Sequence, residues 1–244
     1  MNTSLYVGLS RQETLQRALE IAANNIANAD TAGFKIEQLL VQTEPATPPS
    51  SPGAKPVAYV LDHGVTRDFT EGALESTGDS YDVAIDGPGF FQIQTAQGMR
   101  YTRDGRFTVD NQNQLVTKSG DPVMDNSGRP ITLDPTKPEP AIAQDGTVSQ
   151  AGAQSARLGV YRFSDLSQLQ KDGGNLFEAP TTDTPVVAPD AVVRQGMVER
   201  SNVQPVLEIT NLIEITRAYE RVAQMMSDTA DLSSRTIDRL GKTN

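Results

Sequence analysis

The sequence of 244 residues contains no cysteine, no tryptophan and a single histidine, His63. Without cysteine the chain has no thiol nucleophile and no disulfide, and one histidine cannot build a histidine-based zinc site. The lack of thiols suits oxidising and reducing compartments equally. The longest unbroken apolar run covers five residues, 57–61, whereas a membrane-spanning helix needs about 18. We expect no metal, no cofactor and no membrane insertion.

Positive charge is also scarce, because 21 basic side chains face 31 acidic ones, a net charge of −10. Nucleic-acid binding draws much of its affinity from cations on phosphates, so nucleic acid is not an expected partner. The imbalance lies in the middle of the chain, where residues 41–204 carry 13 basic and 21 acidic side chains. The two ends are close to neutral, as surfaces that pack together tend to be.

Proline and glycine are missing from both ends of the chain. All 15 prolines lie between Pro45 and Pro205, and no glycine occurs in 9–32 or 206–240. Since helix interiors tolerate these two residues worst, this distribution predicts a helix at each end of a turn-rich body.

The middle of the chain has the two-residue period of β-strands. Apolar residues alternate at Val83 and Ile85, and turn signals such as Asp104-Gly105 separate the apolar runs. We therefore predict an α+β fold whose mainly-β central domain is an antiparallel barrel or sandwich. Residues 1–40 and 206–244 together are predicted to form a terminal helical assembly domain. Residues 41–80 are predicted to be a Pro/Ser-rich linker and extended arm, and 81–205 a β-rich central domain.

The N-terminal segment carries an apolar seam with helical spacing. Its members lie four and three residues apart, and they are Leu15, Leu19, Ala22 and Ile26. We expect Asp30 and Thr31 to end this helix and Gly33 to leave it with a positive φ.

Three asparagines, Asn24, Asn25 and Asn28, lie in the same segment, although asparagine is a poor helix former. A buried asparagine in a helical interface fixes register and partner choice at some cost in stability. The alternative is that they are solvated amides near a fraying helix end. The residue pattern alone leaves both interpretations open.

The C-terminal segment has a seven-residue repeat. The apolar stripe of the repeat consists of Leu212, Ile215, Tyr219, Val222 and Met226. Further along, serine and threonine at 229, 233 and 236 weaken the stripe before Leu240. A helix over 206–240 is about 50 Å long at about 1.5 Å per residue, and a stripe of this kind is typical of a coiled coil. The alternative is an ordinary core-facing stripe within one domain.

No motif indicates catalysis. Gly87-Pro88-Gly89 lacks the third glycine of a dinucleotide loop, and no serine stands in the Gly-x-Ser-x-Gly context of a hydrolase nucleophile. We therefore predict no catalytic, cofactor-binding or metal-binding residues.

Five stretches resemble the axial proteins of the bacterial flagellar rod and hook. The longest reads IAANNIANADTAGFK at 21–35, and QGMVERSNV and TRAYE follow at 195–203 and 216–220. VAIDGPGFF and YTRDGRF, at 83–91 and 101–107, are similar to central strands that the family shares. The resemblance therefore covers both ends and much of the body.

This resemblance implies a structural subunit rather than an enzyme. Such subunits are exported by the flagellar type III apparatus without a cleaved signal, and they assemble with copies of themselves and with neighbouring rod proteins. The product is a hollow shaft that crosses the periplasm, lined by terminal helices that pair as an antiparallel coiled coil. The opening LYVGLSRQ at 5–12 is most similar to a proximal rod subunit, with a distal rod or hook-type protein as the alternative.

The helical patterns and the resemblance together define a predicted assembly interface at the two ends of the chain. It comprises Leu15, Leu19, Ala22, Asn24, Asn25, Ile26, Asn28, Gly33, Phe34, Leu212, Ile215, Tyr219, Val222 and Met226. An alternative from another class is a secreted β-domain that binds or hydrolyses a polymer, with the helices as a dimerisation stalk. Such a domain needs a cleft with clustered acids or aromatics, whereas aromatic residues make up only 5% of this chain.

Overall fold

The computed structural model describes residues 3–43, 60–180, 183–188 and 190–241. A helix lies at each end, α1 over Thr3–Ala27 and α2 over Pro205–Gly241, and the described residues between them hold 17 short strands. The predicted α+β arrangement, with a helix before and after a mainly-β middle, is therefore confirmed.

The strands are two to eight residues long. In chain order they are β1 Glu37–Thr43, β2 Val60–Arg67, β3 Leu74–Ser76, β4 Val83–Asp86, β5 Phe90–Thr95, β6 Gly98–Thr102, β7 Phe107–Val109, β8 Leu115–Thr117, β9 Ala141–Ile142, β10 Thr147–Gln150, β11 Ala153–Arg157, β12 Val160–Arg162, β13 Gln170–Lys171, β14 Leu176–Glu178, β15 Val186–Val187, β16 Val192–Gln195 and β17 Met197–Glu199. A single 3-10 turn, Leu166–Gln168, precedes β13.

The end of α1 differs from the prediction, because the helix stops at Ala27 rather than at Asp30 and Thr31. The amide of Thr31 donates to the carbonyl of Asn28 at 3.1 Å, so a tight turn replaces the next helical hydrogen bonds. Gly33 follows with a φ of 68°, and a Cβ at this position would overlap the backbone of Arg103. The predicted positive φ is confirmed, and the close approach of two backbones explains why only glycine fits.

The start of α2 agrees with the proline pattern. Pro205 is its first residue, where a fixed φ suits the helix and the missing N–H costs nothing. Glu208 lies in the first turn, where a negative charge interacts favourably with the helix dipole.

The chain divides into two compact units. The first, here called the helical unit, comprises Met1–Ala27, Glu37–Asp68 and Gln204–Asn244. The second, the β-unit, comprises Asn28–Ile36 and Phe69–Val203.

Strands β1 and β2 belong to the helical unit and form an antiparallel pair, from Glu37 opposite Arg67 to Thr43 opposite Val60. These strands reach into the segment 41–80, which the proline pattern predicted as linker and arm. Residues 44–59, which hold the five prolines of that segment, lie outside the described residues. The two strands consist of apolar and polar residues that lie on either side of the prolines. The proline-rich composition of the whole segment obscured these strands in the sequence.

The β-unit contains several small antiparallel sheets. The largest has six strands in the order β13-β14-β6-β5-β12-β15, a three-stranded sheet has the order β11-β10-β9, and three pairs are β16-β4, β17-β3 and β7-β8. The edge strands β13 and β15 are two residues long and do not pair with each other. The described strands therefore do not close into the barrel that was one predicted alternative.

Strand β5 separates two hydrophobic clusters. Phe91 and Ile93 belong to the larger cluster, with Phe107 and Val193, and all four side chains are nearly inaccessible to solvent. Phe90, on the other face of the strand, packs in a second cluster with Tyr101, Phe177 and other rings. Phe90, Phe91 and Phe107 are therefore core residues of the β-unit.

Gly105 lies where two backbone segments of this core approach each other closely. A Cβ at Gly105 would overlap the carbonyl oxygen of Val83, and the amide of Val83 donates to the carbonyl of Gly105 at 3.0 Å. We expect Gly105→Ala to lower the free energy of unfolding of the β-unit by more than about 3 kcal/mol, measured by urea unfolding of the full chain.

The matched control is Gly120→Ala. Gly120 has a φ of 92° and open space around its Cβ position, so only backbone strain of about 1–2 kcal/mol is expected. Equal losses in the two variants would contradict the close approach at Gly105.

Candidate functional site

Helices α1 and α2 contact each other within the helical unit. A Cβ at Gly8, near the start of α1, would lie 2.8 Å from Cγ of Met226, in the second half of α2. Near the other end of α1, Nδ2 of Asn25 donates to Oε2 of Glu208 at 3.2 Å, in the first turn of α2. The two helices therefore run in opposite directions where they touch.

The predicted residues of α1 divide by burial. Leu15, Ala22 and Asn25 are buried, Leu19 and Ile26 are half-buried, and Asn24 is exposed. The seam predicted from the helical spacing therefore faces inward along much of its length.

Asn25 makes the most specific contacts of this seam. Its side chain is 1% exposed, and its Nδ2 donates to the carbonyl of Glu37 at 2.8 Å. Its Oδ1 accepts from the amide of Glu37 at 2.9 Å, and Glu208 receives the second Nδ2 proton. The alternative of a solvated amide is therefore wrong for Asn25, which ties together α1, β1 and α2.

The predicted residues of α2 are alike in their burial. All are half-buried, and they are Leu212, Ile215, Tyr219, Val222 and Met226. We call this set the α2 seam. Six other large apolar residues of α2 are exposed among the described side chains, and they are Val206, Leu207, Ile209, Ile213, Met225 and Leu232. The exposed fractions of Val206, Ile209 and Ile213 are 76%, 46% and 46%.

A groove of about 340 Å³ lies between α1, β1 and α2 within the helical unit. Its apolar lining includes Leu15, Ala18, Ala22, Leu39 and Ile215. Its polar lining includes Arg11, Asn25, Glu37 and Glu208. We call it the helical groove; sequence reasoning missed it because β1 was not predicted as a strand.

The structure places three predicted assembly residues, Asn28, Gly33 and Phe34, in the β-unit rather than in the helical unit. Phe34 is 1% exposed and packs with Ala29 and Val203. The ammonium group of Lys171 lies 4.6 Å from the centre of its ring. Residues just after α1 and just before α2 therefore share one hydrophobic cluster.

A buried ion cluster lies in the β-unit and joins three segments of the chain. The carboxylate of Glu199 accepts from Nζ of Lys35 at 2.6 Å and from Nη1 of Arg103 at 3.1 Å. Glu199 and Lys35 each have 1% exposed side chains, and Arg103 has 4%. Sequence reasoning missed this cluster, although each member lies in one of the quoted motifs.

Backbone groups complete the cluster. Nζ of Lys35 also donates to the carbonyl of Thr70 at 2.6 Å, the amide of Gly72 donates to Glu199 at 2.9 Å, and Nη2 of Arg103 donates to the carbonyl of Gly87 at 2.8 Å. Burial lowers the pKa of Lys35, and the neighbouring carboxylate of Glu199 opposes that shift. A network of this kind is stable only while every charge keeps its partner.

The described residues offer little for other chemistry. No three histidine, aspartate or glutamate side chains among them lie close enough together to hold a metal ion. Neither described helix combines the length and apolar character needed to cross a membrane. The side chain of His63 lies outside the described side chains.

The described chain thus combines two long helices that have partly exposed apolar faces with a β-rich unit, and it offers no catalytic constellation among its described residues. Comparison with known families agrees with the class of structural subunits. Three family models match parts of the chain. The model described as "Flagella basal body rod protein" matches residues 5–35, and the one described as "Flagellar hook protein FlgE/F/G D1 domain" matches 84–150. The model described as "Flagellar basal body rod FlgEFG protein C-terminal" matches 194–239.

Curated relatives match the whole chain. The flagellar basal-body rod protein FlgF of Caulobacter vibrioides is 53% identical over 245 residues, which cover 100% of both chains. FlgF of Mesorhizobium japonicum is 38% identical over 99% of both chains. FlgG of Buchnera aphidicola subsp. Acyrthosiphon pisum is 35% identical over 98% of this chain and 100% of its own. The chain therefore belongs to the flagellar basal-body rod protein family, which confirms the resemblance.

Loss of the Glu199 carboxylate is expected to destabilise the β-unit. Glu199→Gln keeps the shape of the side chain but removes the carboxylate that pairs with Lys35 and Arg103, and it leaves Arg103 only the exposed Glu71, 3.7 Å away. We expect a loss of about 3–5 kcal/mol in the free energy of unfolding, measured by urea unfolding of the full chain.

The matched control is the exposed ion pair between Asp86 and Arg194, whose closest atoms lie 2.6 Å apart. We expect Asp86→Asn to cost at most about 1 kcal/mol because solvent screens this pair. A loss at Glu199 no larger than at Asp86 would contradict the role of the cluster.

Asn25 generates a second prediction. We expect Asn25→Leu to leave the backbone groups of Glu37 without their partner, at a cost of about 1–3 kcal/mol to the helical unit. The measurement is swimming in soft agar of a strain that carries only the variant, and we expect it to be reduced. The neighbouring variant Asn24→Leu, at an exposed position, should swim normally; equal effects would mean that the hydrogen bonds of Asn25 are not responsible.

Proposed function

We propose that this chain is a structural subunit of the bacterial flagellar basal-body rod and that it polymerises through its terminal helices. The partners are other copies of the chain and neighbouring rod proteins. Membership of the rod protein family over the full length supports this role. The observation that carries the mechanism is the half-buried α2 seam, whose apolar surface one copy covers only in part.

The proposal assigns a coiled-coil pairing to α1 and α2. The contacts of Gly8 with Met226 and of Asn25 with Glu208 support it, because they connect opposite ends of the two helices. The heptad spacing of the α2 seam supports it as well. Apolar area that remains exposed in one copy is then available to neighbours at about 25 cal/mol per Å².

The proposal keeps the predicted domains. Residues 1–40 with 206–244 act in assembly, 81–205 form the β-rich body, and 41–80 form a linker and extended arm. Within the assembly interface, Asn28, Gly33 and Phe34 shape the passage from α1 into the body. The burial of Phe34 against Val203 supports a positioning role for this segment.

The cellular location of the subunit and its export route are part of the same proposal. The subunit is exported by the flagellar type III apparatus without a cleaved signal, and the rod that it joins crosses the periplasm. Its identity as a proximal rather than a distal rod subunit is supported by the relatives, since those named FlgF reach 53% identity and the FlgG relative from Buchnera reaches 35%. The proposal needs no nucleic acid, membrane insertion or enzymatic activity.

The α2 seam gives the test of this function. Val222 lies in the middle of the seam and is half-buried. Burying an unpaired carboxylate there is costly enough that the carboxyl group protonates or the interface opens. We expect Val222→Asp to be exported and soluble with an intact β-unit, yet to build no rod beyond its own position in isolated basal bodies.

The control is Arg221→Asp, at the adjacent exposed position, which should be far milder. Equal loss from both variants would mean that the heptad register is misassigned. Normal rods from Val222→Asp would mean that this helix is not an assembly surface.

A further inference from the structure

A second apolar stripe lies on α2, and it consists of Val206, Ile209 and Ile213. These residues are three and four positions apart, so they share one face of the helix. At 3.6 residues per turn this face is rotated by roughly 130° from the centre of the α2 seam. The three side chains are 76%, 46% and 46% exposed, so the stripe is uncovered in one copy of the chain.

The helical groove is the complementary feature of the same unit. Its volume of about 340 Å³ is bounded by small and branched apolar side chains, among them Ala18, Ala22 and Ile215. Volumes of this size accommodate a few apolar side chains. The stripe and the groove lie on different faces of α2, so one copy cannot fill its own groove with its own stripe.

We propose that Val206, Ile209 and Ile213 of one copy insert into the helical groove of a second copy. This contact rests on the proposed rod function and names the surfaces that carry it. The two surfaces differ, so the contact is heterologous: every copy that fills a groove offers its own groove to the next. Such a contact builds an open helical array unless its rotation happens to close a ring.

Charge supports the pairing of these two surfaces. Glu208 is half-buried in the lining of the groove, and among the described residues only Asn25 donates a hydrogen bond to its carboxylate. Arg217 is exposed and lies one turn after Ile213, beside the stripe. Neither Glu208 nor Arg217 forms an ion pair with any described residue. Insertion of the stripe brings the arginine of one copy to the glutamate of the next.

Glu208 and Arg217 cannot satisfy each other within one copy. Nine residues separate them, which is about 13.5 Å along the helix axis, and they lie on opposite faces. A compensating effect between these two positions therefore has to pass from one copy to another.

The first experiment exchanges the two charges in a strain that lacks the wild-type chain. Glu208→Arg and Arg217→Glu each place like charges at the contact, and we expect each to yield at least about tenfold fewer rods in isolated basal bodies. The double variant restores the attraction and should recover most of the assembly. Co-expression of the two single variants should also recover it, because alternating copies pair correctly at every contact. Normal assembly by both single variants, or a double variant no better than either, overturns the proposal.

The second experiment does not depend on the charges. The natural chain has no cysteine, so the variant Ala18→Cys with Ile213→Cys introduces one thiol in the groove and one in the stripe. Oxidation of isolated basal bodies should give a ladder of cross-linked chains. The control pairs Ala18→Cys with Arg221→Cys, which lies off the stripe, and should give no ladder.

The outcomes separate this contact from the function on which it rests. Rods that contain the Ala18→Cys, Ile213→Cys chain but give no ladder overturn the contact and leave the rod function intact. Absence of the wild-type chain from isolated basal bodies overturns the proposed function and the contact together.

Discussion

The carboxylate of Glu199 is the group on which the β-unit depends. It pairs with both Lys35 and Arg103, and all three side chains are almost completely buried. Moving charges out of water costs several kcal/mol each, and their mutual attraction and hydrogen bonds offset that cost. The cluster is therefore stable only when residues from near position 35, position 103 and position 199 are present together. This requirement makes the β-unit a single cooperative structure.

The position of these charges in the chain has a structural consequence. Lys35 follows the end of α1 by eight residues, and Glu199 precedes the start of α2 by six. Phe34 and Val203, which flank them, pack in one hydrophobic cluster. The segments that lead to the two helices are thus fixed to the same part of the β-unit by an ion pair and by apolar contact.

The helices could be predicted because their contacts join residues that are close in sequence. The ion cluster and the helical groove could not be predicted because they join residues that are far apart in sequence. The absence of proline and glycine and the heptad of Leu212, Tyr219 and Met226 were enough to predict α2, because helical contacts are local. The ion cluster joins residues 164 and 96 positions apart, and charged side chains are ordinarily expected on the surface. The groove was missed for a related reason, since β1 becomes a wall of it only by pairing with β2 across the proline-rich segment. The burial of Asn25 needed the same strand, because Glu37 supplies its partners.

The two faces of α2 explain how one helix can serve both folding and assembly. The α2 seam is partly covered within one copy, which holds α2 beside α1, whereas the stripe of Val206, Ile209 and Ile213 leaves apolar area uncovered. An exposed apolar stripe in a free subunit invites unspecific association. The acidic body opposes this, since 13 basic and 21 acidic side chains in residues 41–204 give free subunits a common negative charge. Such repulsion is screened beyond about 10 Å at 0.1 M salt, while apolar contact acts only at close range. In the proposed assembly, a chain with neutral, apolar ends and a charged body therefore remains separate until the correct pair of surfaces meets.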